Sequence, residues 1–84
     1  MAITFQPVPV ETASEDSEGI LVLHEGRLVA VLVRLADRVH GSDQGAWHLE
    51  AGFGRCFDLP RTFTDLPEAE IWVRDRLERR KGAL

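Results

Sequence analysis

The segment GRLVAVLVRL, Gly26 to Leu35, is apolar at nearly every inner position and restricts the possible folds more than any other part of the chain. Its β-branched residues favour a strand, in which successive side chains point to opposite sides. Both sides of this strand are therefore apolar, and both need cover from water. The fold has to explain what covers each side.

A second apolar run, Ile20–Leu23, precedes this segment, and Glu25-Gly26 lies between the two. Glycine supplies the positive φ that two-residue turns require, so the pattern predicts a β-hairpin. Pairing across this turn sets Val22 opposite Val29. It places Leu21, Leu23, Leu28, Ala30 and Leu32 on one face, and Ile20, Val22, Val29, Val31, Val33 and Leu35 on the other.

Two more extended segments flank the hairpin. In ITFQPVPV, Ile3 to Val10, the prolines at 7 and 9 lack an amide on the same side, which suits an edge strand or a polyproline-like arm. An acidic linker, ETASEDSEG, follows it. WHLEAGF alternates with period two, so Trp47, Leu49, Ala51 and Phe53 are expected to share the face that a helix covers.

The end of the chain predicts an amphipathic helix over residues 65–81. Asp65 is a favourable N-cap, Glu68 has the spacing of a capping box, and Pro67 falls in the first turn. The apolar stripe consists of Leu66, Ala69, Val73 and Leu77, flanked by Trp72.

These elements predict a single α+β domain over residues 1–84. Residues 1–18 form an edge strand or arm with the linker, residues 19–58 form the sheet, and the helix follows. The sheet is a three- to four-stranded antiparallel sheet, made of the N-terminal edge strand, the hairpin and a third strand. One C-terminal α-helix packs on one face, because a single helix covers one face only.

The uncovered face is the main functional prediction. The N-terminal arm, curling of the sheet or a second chain would each cover it, and an exposed apolar patch of this kind favours association. We predict a non-enzymatic protein-interaction module that homodimerises, or binds another protein, with the segment 37–45 at the rim of the contact. The predicted interface residues are Val22, Val29, Val31 and Val33.

A nucleic-acid-binding module is the alternative. The net charge of −4 opposes contact with phosphates, but basic residues gather near the C-terminus. Macrodipole complementarity and acid–base pairs four residues apart also explain them as helix-stabilising residues. The possible anion contacts are Arg74, Arg76, Arg79, Arg80 and Lys81.

No catalytic, cofactor or metal site is predicted. His24, His40, His48 and Cys56 are the soft metal ligands, and none of them has the close spacing of a zinc site. His48 and Glu50 share a strand face, as alternating polar residues commonly do. GFGRCF lacks the third glycine and the following helix of a phosphate-binding loop.

The chain has features of a cytoplasmic protein. A single cysteine excludes an intrachain disulfide, and the N-terminal sequence lacks a basic region followed by an apolar one. The longest apolar run, Leu28 to Val33, is far shorter than a membrane span.

The segment RTFTDLPEAEIWVRDRL resembles the helix-opening pattern F-T-x-x-x-E-A-x-x-W of three-strand-plus-helix modules. The arm-type DNA-binding domains of phage integrases and the plant AP2-type domain are such modules. The matching residues are Phe63, Thr64, Glu68, Ala69 and Trp72. Those domains read DNA with a basic, aromatic sheet face, whereas this sheet is apolar. Taken whole, EGRLVAVLVRL, WHLEAGFG and FTDLPEAEIWV resemble a group of short uncharacterised bacterial proteins, which implies a fold and no known activity.

Overall fold

A computed structural model describes residues 2–79, which form one five-stranded antiparallel sheet and one α-helix. The strands follow one another across the sheet in chain order. The elements are β1 (Ile3–Pro9), β2 (Glu18–His24), β3 (Arg27–Arg34), β4 (Trp47–Gly52), β5 (Thr62–Phe63) and α1 (Leu66–Glu78). The α+β class and the C-terminal helix are confirmed.

The predicted strand count of three to four was too low. The fifth strand, β5, has only two residues, whose partners in β4 are Trp47 and His48. A segment this short shows no period of alternation, so the sequence pattern does not identify it as a strand.

β1 is an edge strand, as the prolines predicted. Val10 donates to the Ser17 carbonyl, which shows that even-numbered amides of this segment point toward β2. The amide positions of Pro7 and Pro9 therefore point away from the sheet, where they have no proton to donate. The outer edge is rich in acceptors and poor in donors, and this composition opposes pairing with another strand.

The hairpin forms at the predicted turn, but its register is shifted. Glu25 and Gly26 both have positive φ, 52° and 84°, as in a tight hairpin turn. A β-bulge then leaves Val29 without a partner, so that Val22 lies opposite Ala30 rather than Val29. Because one extra residue reverses the alternation, the strand face that holds Val31 and Val33 is not the face that holds Val22.

The core lies between the sheet and α1. Its buried sheet residues come from β2, β3, β4 and β5, and those of the helix are Ala69, Val73 and Leu77. The predicted stripe of α1 is thus confirmed, with Leu66 partly buried beside it. The sheet residues of this core are Ile20, Val22, Ala30, Leu32, Leu49 and Phe63.

Both ends of α1 have defined caps. The Asp65 side chain accepts from the amide of Glu68 at 2.9 Å, and Glu68 Oε1 accepts from the amide of Thr64 at 2.7 Å. This reciprocal pair is the predicted capping box, displaced by one residue on its second bond. The helix ends at Glu78 with Arg79 as C-cap, and the predicted bound at Lys81 lies outside the described residues.

The segment between β4 and β5 is attached to α1 by Arg76. Its guanidinium donates to the carbonyls of Arg55 and Phe57 at 3.0 and 2.9 Å, and to Asp58 Oδ2 at 2.8 Å. The same group lies over the Trp72 ring at 5.0 Å. Arg55 in turn donates to the carbonyl of Leu77. One arginine therefore joins the segment to the helix by three hydrogen bonds, and its contact with Trp72 is made within the helix.

Replacing Arg76 by alanine is expected to lower the free energy of unfolding by about 2 kcal/mol, since hydrogen bonds to a charged group contribute roughly 1.5–3 kcal/mol. Arg74 is the matched control, because within residues 2–79 its guanidinium pairs with Glu70 on the same helix, at 2.7 Å, and with no other carboxylate. Arg74→Ala should cost no more than about 0.5 kcal/mol. Urea denaturation followed by circular dichroism measures both, and equal losses would contradict the structural role of Arg76.

Asp16 links the connection between β1 and β2 to the connection between β3 and β4. Both connections lie at the end of the sheet opposite the hairpin turn. Its Oδ1 accepts from the amides of Ala36 and Asp37, both at 2.7 Å, and its Oδ2 accepts from His40 Nε2 at 2.6 Å. The hydrogen bond from His40 is the largest cause that lowers the pKa of Asp16 below its ordinary value of 3.8. Val33, at this end of the sheet, is only 4% exposed.

The depressed pKa of Asp16 predicts a pH dependence of stability. The folded chain binds this proton less readily than the unfolded chain, so the contribution is complete well above pH 3.8 and is lost as the pH falls through the folded pKa. Asp16→Asn should therefore be less stable than the natural protein at neutral pH, and the difference should shrink below pH 3.8. Thermal melts across this range test it, with Glu15→Gln as the control. A difference that is independent of pH would contradict the role of the carboxylate.

Candidate functional site

The face of the sheet opposite α1 carries an apolar patch. Residues directly opposite each other in antiparallel strands share a face, and Leu21 pairs with Val31, Leu23 with Leu28, and Val31 with Ala51. None of these side chains belongs to the core under the helix. We call this patch the open face, and it consists of Leu21, Leu23, Leu28, Val31, Ala51 and Phe53.

Phe53 joins the open face although it follows the end of β4. Its backbone is extended, with φ −125° and ψ 148°, and its amide donates to the Val29 carbonyl at 2.9 Å. Residues two apart in an extended chain face the same side, so Phe53 continues from Ala51. Leu28 and Phe53 are 40% and 46% exposed, and the apolar surface is thus most open near the hairpin turn.

Polar residues border the open face on both sides. On β1, Thr4 and Gln6 are opposite Leu23 and Leu21 and are exposed. On β4, His48 lies opposite Val33, and Glu50 is the extra residue of a second β-bulge. An apolar centre with a polar border is the composition of protein-interaction surfaces.

The four valines predicted as an interface do not form one surface. Val22 is fully buried in the core and Val29 is partly buried against the same core, so both are corrected. The bulge at Val29 is the reason. Its extra residue reverses the order in which the side chains of β3 point to the two faces of the sheet. Val31 and Val33 do lie on the face away from the helix, although Val33 is covered.

The segment 37–45, predicted to border the contact, contains the 3₁₀ segment Arg38–Asp43, capped by the Asp37 side chain. This segment lies at the end of the sheet where Val33 is buried, away from Leu28 and Phe53. The prediction that Trp47, Leu49, Ala51 and Phe53 share the helix side is right for the first two residues only. The bulge at Glu50 turns the last two residues to the open face.

The described basic residues of the C-terminal cluster each have an internal partner. Arg74 contacts Glu70 at 2.7 Å, Arg76 contacts Asp58 at 2.8 Å, and Arg79 contacts Asp75 at 3.0 Å. A phosphate would have to displace these carboxylates. Arg80 and Lys81 lie outside the described residues. Nucleic-acid binding therefore stays a prediction.

The residues considered for catalysis and metal binding are dispersed. Cys56 is completely buried, and desolvation raises the pKa of its thiol, so the reactive thiolate is disfavoured. His48 Nε2 is 4.0 Å from Glu50 Oε2, and His40 is engaged with Asp16. Within residues 2–79 there is no group of three His, Cys, Asp or Glu residues with the geometry of a metal site.

Comparisons with known proteins give no independent assignment. No protein-family model matches the sequence, and neither the curated proteins nor the solved structures contain a match. No helix in the described part of the chain has the length and apolar character that a membrane crossing requires.

Proposed function

We propose that the protein is a non-enzymatic interaction module that homodimerises through the open face. The observation that carries this proposal is an apolar sheet face left uncovered by the helix, with exposed Leu28 and Phe53 at its open end. The prolines of β1 and the two-residue length of β5 oppose pairing at the sheet edges. Contact between faces is then the remaining way to bury the apolar surface.

The area of the face supports a second copy as its occupant. The whole sheet face, with its polar border, spans roughly 500 Å² at about 4.8 Å between strands and about 3.4 Å per residue, and the open face on β2, β3 and β4 is its apolar centre. Two whole faces would bury about 1,000 Å² in total, the lower limit for a specific protein–protein interface, so the polar border has to take part in the contact. Sheets packed in this way lie about 10 Å apart with their strands nearly aligned.

The arrangement of the face supports one symmetry axis for the proposed dimer. A two-fold axis parallel to the strands brings the two open ends together, so that Leu28 meets Leu28 of the second copy. The same axis exchanges left and right, and therefore places Phe53 of one copy over Leu23 of the other. Glu50, on β4, then lies over β2 of the second copy rather than over another Glu50. An axis perpendicular to the strands would instead oppose the open end to the covered Val33 end.

Isotope-filtered NMR on a mixture of labelled and unlabelled protein tests this arrangement. We expect nuclear Overhauser effects between the Phe53 ring of one copy and the Leu23 methyl groups of the other. Intermolecular effects confined to α1 or to the edge of β1 would contradict the proposal, and so would their absence in a sample of doubled mass.

We also propose that the protein works in the cytoplasm. Cys56 is a free thiol, and the sequence offers no second cysteine for an intrachain disulfide of the kind that oxidising compartments favour.

A further inference from the structure

The helix side of the sheet contains an open groove that the core does not fill. A helix about 10 Å wide covers roughly two of five strands spaced about 4.8 Å apart. α1 directly follows β5, and its Trp72 ring packs at a tilt against the Phe63 ring, with 5.5 Å between the ring centres, so the helix lies over the β5 side. The groove of about 520 Å³ remains on the β1 side. Pro7, Pro9, Glu18, Ile20, Trp47 and Leu66 line it.

The walls of the groove are mainly apolar. Ile20 and the two proline rings form one side, and Trp47 and Leu66 form the other. Trp47 and Leu66 pack against the core while remaining partly exposed, so a ligand would contact preformed surfaces. The volume is within the range of small-molecule sites, roughly 300–1,000 Å³.

The polar side chains in the groove lining are Glu18, which accepts, and Ser17, whose hydroxyl donates or accepts. Glu18 is the charged residue in its lining, and its side chain is 67% exposed. One carboxylate oxygen contacts Arg34 at 3.2 Å, and the other has no partner among the described contacts. Pro7 and Pro9 add outward carbonyls without neighbouring donors, since neither proline has an amide proton. A ligand suited to this border brings donors and positive charge.

We infer that this groove is a binding site for organic cations, compounds with an apolar aryl or alkyl body and a terminal ammonium group. The body lies between Ile20 and Trp47, where the indole face adds attraction for a nearby cation. The ammonium group meets the Glu18 carboxylate. This site is on the opposite side of the sheet from the open face, and so it is independent of dimerisation.

The test compares three probes that share one body: 4-phenylbutylamine, 4-phenylbutanol and 4-phenylbutyrate. Each is titrated into ¹⁵N-labelled protein while the indole signal of Trp47 and the amide of Gly19 are followed. We expect the amine to bind with a Kd of about 1 mM, the level that a ligand of this size reaches. It should bind at least tenfold more tightly than the carboxylate, with the alcohol between them.

Two variants assign the selectivity. Glu18→Gln should weaken amine binding to the level of the alcohol and leave alcohol binding unchanged. Glu25→Gln, a matched change at the hairpin turn, should alter neither. The spectra themselves report whether each variant is folded. Equal binding of amine and carboxylate, or a Trp47 signal that does not move at saturating amine, would overturn the site. A monomeric Leu28→Glu variant should give the same titration, which separates this test from that of the dimer.

Discussion

Replacing Gly52 by alanine is expected to destabilise the fold by about 3 kcal/mol or more, the upper end of the range for overpacked sites. A Cβ atom at this position would lie 2.0 Å from the Cys56 carbonyl oxygen and 2.8 Å from its carbonyl carbon. Both are backbone atoms of the 3₁₀ turn Gly54–Cys56, so no side-chain rotation relieves the contact. The turn has to move, and the buried Cys56 moves with it.

Gly26→Ala is the matched control for this prediction. A Cβ at Gly26, in the hairpin turn, would have no neighbour within 4 Å, and its φ of 84° is what disfavours alanine. Its cost should be about 1 kcal/mol. Urea denaturation measures the free energy of unfolding of both variants. A Gly52→Ala protein within about 1 kcal/mol of the natural protein would show that the Cys56 backbone can move away from position 52.

Changing Val31 to glutamate is expected to raise the dimer Kd by about a thousandfold or more. A dimer buries two copies of the change, and each unpaired carboxylate costs at least about 2 kcal/mol to desolvate. The two together correspond to about three factors of ten in Kd. Sedimentation equilibrium measures the change directly. Gln6→Glu is the control, because this residue lies on the exposed border of the same face. It should change the Kd by no more than a few-fold.

The Leu28→Glu variant distinguishes a loss of dimerisation from a loss of folding. Leu28 is 40% exposed in the single chain, so glutamate is tolerated there in the monomer. The far-ultraviolet circular dichroism spectrum should match that of the natural protein, while the dimer is lost. A Leu28→Glu protein that dimerises as the natural protein does would move the interface away from the open face.

Local signals in the sequence predict most of the elements. The cap at Asp65, the apolar stripe of α1 and the turn at Glu25-Gly26 each depend on residues close together in the chain. The prolines of β1 also form a local signal, and they predict that β1 is an edge strand. β5 escapes prediction because its two residues pair with a strand more than ten positions away and carry no pattern of their own.

The residues of the open face depend on two β-bulges that the sequence does not reveal. The extra residues are Val29 and Glu50, and neither has a residue type that such bulges require. Each bulge reverses the alternation, so an apolar face away from the helix was predictable, while only Val31 of its six residues was among the predicted interface residues. The polar residues Thr4 and Gln6 indicate which side of β1 faces away from the core. The long linker between β1 and β2 left the pairing register of these two strands undetermined.

The solution mass over a concentration series, measured by multi-angle light scattering, tests the central claim most directly. The proposed dimer predicts a mass that rises with concentration toward twice 9.4 kDa, and a Leu28→Glu protein that stays at 9.4 kDa. A natural protein that remains at 9.4 kDa at every concentration would contradict dimerisation through the open face.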